Sequence, residues 1–278
     1  MSRVVPLLSL SLLLGVPAAA GTISELPHPP LVVQLHPSAD QPFTLEDIDR
    51  ALREGANAIE LDLRFRPGDQ TVVCGHSRRG LSDHPTLAQS IRRVLRFMGD
   101  SPSVQRDGLQ FFLVLDFKER SAALYDGVIT ELRQHATHWS TSAGPNGPPR
   151  GITVVASGDR AGLRALVDAE TLDSLCILEG VDYAGRIRNR SPLPGRGFQW
   201  IAIQHPGERG RVRALHTGMD LSARGVYNVR AYDCHEALRD CVAHGVDAVN
   251  ADADRDEIAR ARSLGEERER ERVESRHR

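Results

Sequence analysis

Two carboxylates, Glu60 and Asp62, stand two residues apart in the run NAIELDLRF at 57–65, and LDFK at 115–118 repeats that spacing with Asp116 and Lys118. On a β-strand, residues i and i+2 point to the same face. Unpaired carboxylates buried together on such a face are costly, and a divalent cation removes the cost. An all-oxygen donor set of Glu60, Asp62 and Asp116 suits Mg or Ca better than a transition metal, with Mg favoured. Lys118 beside them is placed to hold an anionic oxygen of a substrate and to stabilise charge as it develops there.

His36 closes the run LVVQLH at 31–36, and His76 closes TVVCGH at 71–76. Imidazoles ordinarily titrate near neutral pH, so a pair of them across a scissile phosphodiester supplies a general base and a general acid. Each residue also has a plainer reading. A strand-end His is often only hydrogen-bonded at the surface, and Glu60 and Asp62 have Arg64 and Arg66 as nearby ion-pair partners. Convergence of the five on one rim favours the chemical reading. His205, Glu179, Asn250 and Asp252 end later runs, where shaping a pocket and capping the next helix are equally open to them. His28, His84, His135, His138 and His235 read as loop or helix-surface residues without chemistry.

The elements that must position this set follow from the pattern of apolar runs. Eight occur, at 31–36, 57–65, 109–117, 152–157, 175–180, 200–205, 226–232 and 247–252, with helix-compatible stretches between most of them. In TLEDIDRALREG at 44–55, Thr44 and Asp47 make a capping-box start and Gly55 a stop; DCHEALRDCVAHG at 233–245 repeats the scheme. Eight strand–helix units in one uninterrupted series predict an α/β fold, a single (β/α)8 TIM-type barrel, with residues 21–262 as its domain. The segment TVVCGH follows the second run after only RPGDQ. A parallel neighbour needs a crossover of about a dozen residues, so this segment must return antiparallel, as a β-hairpin extension after strand 2. The hairpin then rises from the C-terminal rim, where barrels of this kind house their chemistry.

Residues 1–20, MSRVVPLLSLSLLLGVPAAA, carry an Arg, an apolar run and a small-residue finish, the pattern of an export signal cleaved near Ala20. The apolar run is shorter than the roughly 20 residues a membrane span requires. A net charge of -2, with no basic stripe interleaved with aromatics, argues against a nucleic-acid partner. Cys74, Cys176, Cys234 and Cys241 form no CxxC pair, which speaks against structural zinc. Cys234 and Cys241 exceed disulfide reach unless Cys234 precedes the helix, so the pairing stays open. Residues 137–150 read as a surface loop, and 263–278 as a charged low-complexity tail, either a solvated helix or disordered.

The order His36, GANAIELDL at 55–63, His76 and LDFK at 115–118 resembles the PLC-like phosphodiesterase superfamily, in particular the glycerophosphodiester phosphodiesterases and the sphingomyelinase D group. The segment at 236–252, EALRDCVAHGVDAVNAD, resembles the end of the family barrel, so the likeness covers about 31–262. It implies metal binding by Glu60, Asp62 and Asp116, acid–base roles for His36 and His76, and phosphate contact by Lys118. The chain departs from the glycerophosphodiesterase pattern in having HPS at 36–38 in place of His-Arg-Gly, and Arg230 where an aromatic is usual. Arg230 is therefore placed with Lys118 as substrate-binding. The expectation is an exported, monomeric phosphodiesterase acting on a glycerophosphodiester or (lyso)phospholipid headgroup. The alternative is a catalytically degenerate barrel that binds a phosphorylated ligand or a cation.

Overall fold

Local signals start and stop the first helix. Thr44 accepts from the Asp47 amide, and Asp47 in turn accepts from the Thr44 amide, which caps α1 (Leu45–Glu54) reciprocally; Gly55 ends it at φ 91°. The computed structural model describes residues 32–36, 42–100, 111–139, 152–159, 162–163, 177–178, 180–183, 186–188, 200–204, 228–232, 238–244, 246–252 and 255–276. The expected export signal, residues 140–150 of the expected loop, Glu179, His205, Cys176 and Cys234 lie outside them.

The strands are β1 (Val32–His36), β2 (Ala58–Arg66), β3 (Thr71–Cys74), β4 (Phe111–Phe117), β5 (Ile152–Gly158), β6 (Ile177–Leu178), β7 (Gly180–Tyr183), β8 (Arg186–Arg188), β9 (Trp200–Gln204), β10 (Asn228–Tyr232) and β11 (Ala248–Asp252). The other helices are α2 (Leu87–Asp100), α3 (Ala122–Gln134), α4 (Leu238–Ala243) and α5 (Arg255–Arg276). The sheet runs β6-β5-β4-β2-β1-β11-β10-β9-β7-β8, with β3 on β2. Every pairing in that path is parallel except β7 with β8. The eight apolar runs all contain a described strand, as a parallel α/β fold requires. β3 pairs antiparallel with β2, from Leu63 opposite Cys74 to Arg66 opposite Thr71. Within the turn, Asp69 accepts from Arg66 and from Thr71, contacts that hold its carboxyl well below the usual range.

Alternation along the strands divides the core in two. Ile59, Leu61, Leu63, Leu113, Leu115, Val154 and Val249 pack with the helices through Ile48, Leu52, Ile91, Leu124 and Ile258. The opposite face holds a much smaller cluster, Ala58, Phe112, Val114, Val155 and Ala248. Burial of each large aliphatic on the helix side contributes about 1.5–3 kcal/mol, so that side supplies most of the stability. The other face, continued along β1, β2, β4 and β11, turns polar toward the strand ends with Gln34, Glu60, Asp62 and Asn250, all buried.

The charged C-terminal run belongs to α5, which passes position 263 without a break. Leu264 is buried, and Arg268 donates to the Val246 carbonyl at 2.6 Å. Arg262 donates to the Glu54 carbonyl at 2.9 Å and so satisfies an end of α1. Cys241 is disulfide-bonded and Cys74 is a buried free thiol. The described part of α4 starts at Leu238, which leaves Cys234 ahead of it. No helix among the described residues is long and apolar enough to cross a membrane.

Candidate functional site

Parallel register puts two of the carboxylates side by side. Asp62 of β2 is the register partner of Asp116 of β4, and Glu60 lies two residues before Asp62 on the same face. One oxygen from each of Glu60, Asp62 and Asp116 falls within 4.8 Å of the others. Asp62 is 0% exposed and Glu60 3%. Gln34, an isolated polar residue in the apolar β1, donates from Nε2 to Glu60 and fixes that carboxylate from the neighbouring strand.

Asp62 is the hub. Its Oδ2 lies 2.7 Å from His76 Nδ1, and its Oδ1 lies 3.0 Å from Lys118 Nζ. Its backbone carbonyl accepts from the Gly75 amide at 2.7 Å, which pins the chain just before His76. A carboxylate only accepts, so in this hydrogen bond the Nδ1–H donates to Asp62. The His76 side chain is 37% exposed, in contrast to the buried Asp62 it meets. Lys118 Nζ also reaches Asp116 Oδ2 at 2.5 Å. Burial works to lower the Lys118 pKa, but Asp116, Asp62 and Glu60 together outweigh it and raise the value above that of an ordinary lysine. A raised folded-state value means the stabilisation is complete below the ordinary lysine pKa and is lost only as pH climbs through the folded one.

These residues fit a divalent cation. Among the described residues Asp62 Oδ1 is shut off from solvent and accepts no well-formed hydrogen bond, with the Lys118 ammonium as its ion-pair partner. Carboxylates clustered this closely repel one another, and an oxygen-rich set of this kind matches Mg or Ca. Lys118→Met removes the lone described cation among the three acids, so it should lower stability by roughly 3 kcal/mol in chelator. Thermal melts with and without Mg check this, with the added ion expected to recover more stability in the variant than in the wild type.

Gly158, at the end of β5, backs the site from the other side. Its φ is +92°, and a Cβ there would sit 2.2 Å from Asp116 Oδ1 and 2.4 Å from the Phe117 carbonyl oxygen. Gly158→Ala must therefore displace Asp116 as well as strain the backbone. We expect a loss of about 1–3 kcal/mol in urea unfolding and weakened cation binding. Beside it, Arg120 grips Asp159 through Nε and Nη2, Tyr125 donates to the same carboxylate, and the Arg120 contact leads in lowering the Asp159 pKa.

His36 ends β1 with its backbone in register with Asp252. Arg230 lies in β10 opposite Ala248. The side chains of both, and that of Asp252, lie outside the described residues. The structure thus brings Glu60, Asp62, His76, Asp116 and Lys118 together and carries no statement on the other two side chains. His84, expected at the surface, is buried at 8% exposure beneath the loop, its ring against Gly75. Burial pushes the Cys74 thiol up to about 12, so no thiolate nucleophile arises there. Gln34 and Glu119 carried no expectation, and Arg64, read from the sequence as an ion-pair partner for Glu60 or Asp62, faces Glu119 instead. Gln34 stood out only as a polar interruption of an apolar run.

The fold, α/β with a parallel sheet, resembles that of solved TIM-barrel proteins. No protein-family model and no curated protein sequence matches the chain. A candidate glycerophosphodiester phosphodiesterase from Galdieria sulphuraria superposes with a TM-score of 0.54 at 13% identity, covering 85% of this chain and 98% of that one. A glycerophosphodiester phosphodiesterase from Agrobacterium tumefaciens gives a TM-score of 0.50 at 16% identity, covering 82% and 99%. A thiamine phosphate pyrophosphorylase from Pyrococcus furiosus follows with a TM-score of 0.45, 10% identity and coverage of 85% and 96%. At these identities the likeness is one of fold.

Proposed function

We propose that this chain is an exported, metal-dependent phosphodiesterase acting on a glycerophosphodiester or a (lyso)phospholipid headgroup. The observation that carries the reading is the double use of Asp62: one oxygen orients His76, the other meets Lys118, and the group shares a cluster with Glu60 and Asp116. The same reading takes the sheet as a closed (β/α)8 barrel, because β6 and β7 end the parallel series on opposite sides yet are separated by a single residue of sequence. Two solved structures of that fold with phosphodiesterase names support it, as does the order of residues from His36 to Lys118.

In this account Glu60, Asp62 and Asp116 hold one divalent cation, Mg in preference to Ca, which withdraws charge from a phosphoryl oxygen when bound. Lys118 contacts the phosphate and balances the negative charge that grows on it. Arg230 contributes to substrate binding. His76, oriented by Asp62, and His36 divide the proton transfers: one takes the proton from the attacking hydroxyl, the other gives a proton to the departing alkoxide. A new P–O bond forms as the ester P–O bond breaks. The attacking oxygen is that of water or of the substrate's own hydroxyl, and the product distinguishes them, a linear phosphomonoester for water and a cyclic phosphate for the internal route.

A panel of glycerophosphodiesters and lysophospholipids, incubated with Mg and followed by phosphorus NMR, tests the proposal. Turnover that chelator abolishes, and that His36→Ala and His76→Ala each lose, supports it. Chelator-insensitive turnover refutes the metal role, and full activity in either histidine variant refutes the acid–base pair. A panel left untouched refutes the enzyme and leaves a barrel that only binds a phosphorylated ligand or a cation.

A further inference from the structure

The peptide group of His76 is gripped by a residue that the reaction scheme does not use. Arg64 lies two residues beyond Asp62 on β2, and its side chain is only 15% exposed. Both arms of its guanidinium donate to one backbone oxygen, the His76 carbonyl, with Nε at 3.0 Å and Nη2 at 2.7 Å. Nη1 faces Glu119 at 3.7 Å. Glu119 is fixed in turn, since its Oε1 accepts from the Phe65 amide at 3.1 Å and its Oε2 from Arg78 at 2.7 Å.

We infer that Arg64, braced by Glu119, is the positioning residue that sets the His76 imidazole for proton transfer; this rests on the phosphodiesterase reading above. The Gly75 amide is tied to the Asp62 carbonyl, and the His76 carbonyl is tied to Arg64. The Gly75–His76 dipeptide is therefore anchored at both ends to the strand that bears Asp62. The hydrogen bond from His76 Nδ1 to Asp62 follows from that placement instead of having to find it. Glu119 directly follows Lys118, so the same clamp ties the hairpin to the end of β4 and holds the imidazole and the ammonium in one frame. A lysine at 64 keeps the charge toward Glu119 but loses the planar fork that meets one oxygen twice.

The clamp predicts a kinetic signature that general destabilisation does not. Displacing a catalytic group by about 1 Å costs up to about 100-fold, so Arg64→Ala should lower kcat by roughly 10–100-fold with KM little changed. Arg64→Lys should fail to rescue it, and it also serves as the measurable variant should Arg64→Ala not fold. In a His76→Ala background the Arg64 substitution should cost less than about 2-fold more, because the group it positions is gone. The measurement is that double-mutant cycle, run on the full chain with Mg and the best diester of the panel. Multiplying effects, a loss carried by KM, or full rescue by lysine overturns the inference while leaving the phosphodiesterase reading intact. A wild type that turns over no diester overturns both.

Discussion

His76→Ala is expected to lower kcat on a phosphodiester by about 10²–10⁴-fold, the range set by removing one positioned acid–base group. The ring is placed for that role by three contacts: Asp62 on Nδ1, Arg64 on its carbonyl, and the Gly75 amide on the Asp62 carbonyl. None of these is a contact to the core, so the fall should come without a matching fall in melting temperature. His76→Asn keeps polarity and some of the hydrogen bonding but cannot exchange a proton, and it should be as poor as alanine. Steady-state rates of the two variants, with melting curves beside them, check the assignment. A variant of wild-type rate would remove His76 from the scheme.

Asp62→Asn should be the other severe substitution, because one side chain serves three partners. It withdraws a charge from the carboxylate cluster, weakens the acceptor that orients His76 and frees Lys118 to lean wholly on Asp116. Loss of a partner that orients a ligand alone costs about 10–100-fold in metal affinity or activity. With the ligand charge and the histidine affected at once, the activity loss should exceed that range. Stability should move the other way. Glu60, Asp62 and Asp116 lie together, so removing one charge relieves like-charge repulsion, and the variant should melt in chelator no lower than the wild type. Such an exchange of stability for function is common where active sites concentrate like charge. Melting curves in chelator and in Mg separate the two effects: the ion should raise the wild-type midpoint and leave that of the variant nearly unmoved.

Much of this was legible in the chain because it rests on local rules. Thr44, Asp47 and Gly55 define α1 through backbone groups only three or four residues away. The spacings Glu60/Asp62 and Asp116/Lys118 state a shared face directly, and the register of β2 on β4 then brings the two pairs together. What escaped rests on distant contacts that no local pattern encodes. Arg64 looked like a surface partner for a carboxylate, yet it spends two donors on a backbone carbonyl twelve positions away, and any residue type at 76 would offer that oxygen. His84 reads as polar, but the loop folds its ring under Gly75. The short β8 pairs antiparallel with β7 across two intervening residues, in a stretch without an apolar run to announce it. The charged run after 262 shows no amphipathic stripe, and its attachment depends on single side chains such as Leu264 and Arg268.

Binding of a divalent cation by Glu60, Asp62 and Asp116 can be tested without knowing the substrate. Mn can report for Mg by electron paramagnetic resonance, as free ion is lost from the spectrum on titration of the protein. The account predicts one saturable site per chain, displaced by Mg, weakened at least about 10-fold in Asp62→Asn and in Asp116→Asn. An absent site, or binding that both substitutions leave unchanged, would contradict it.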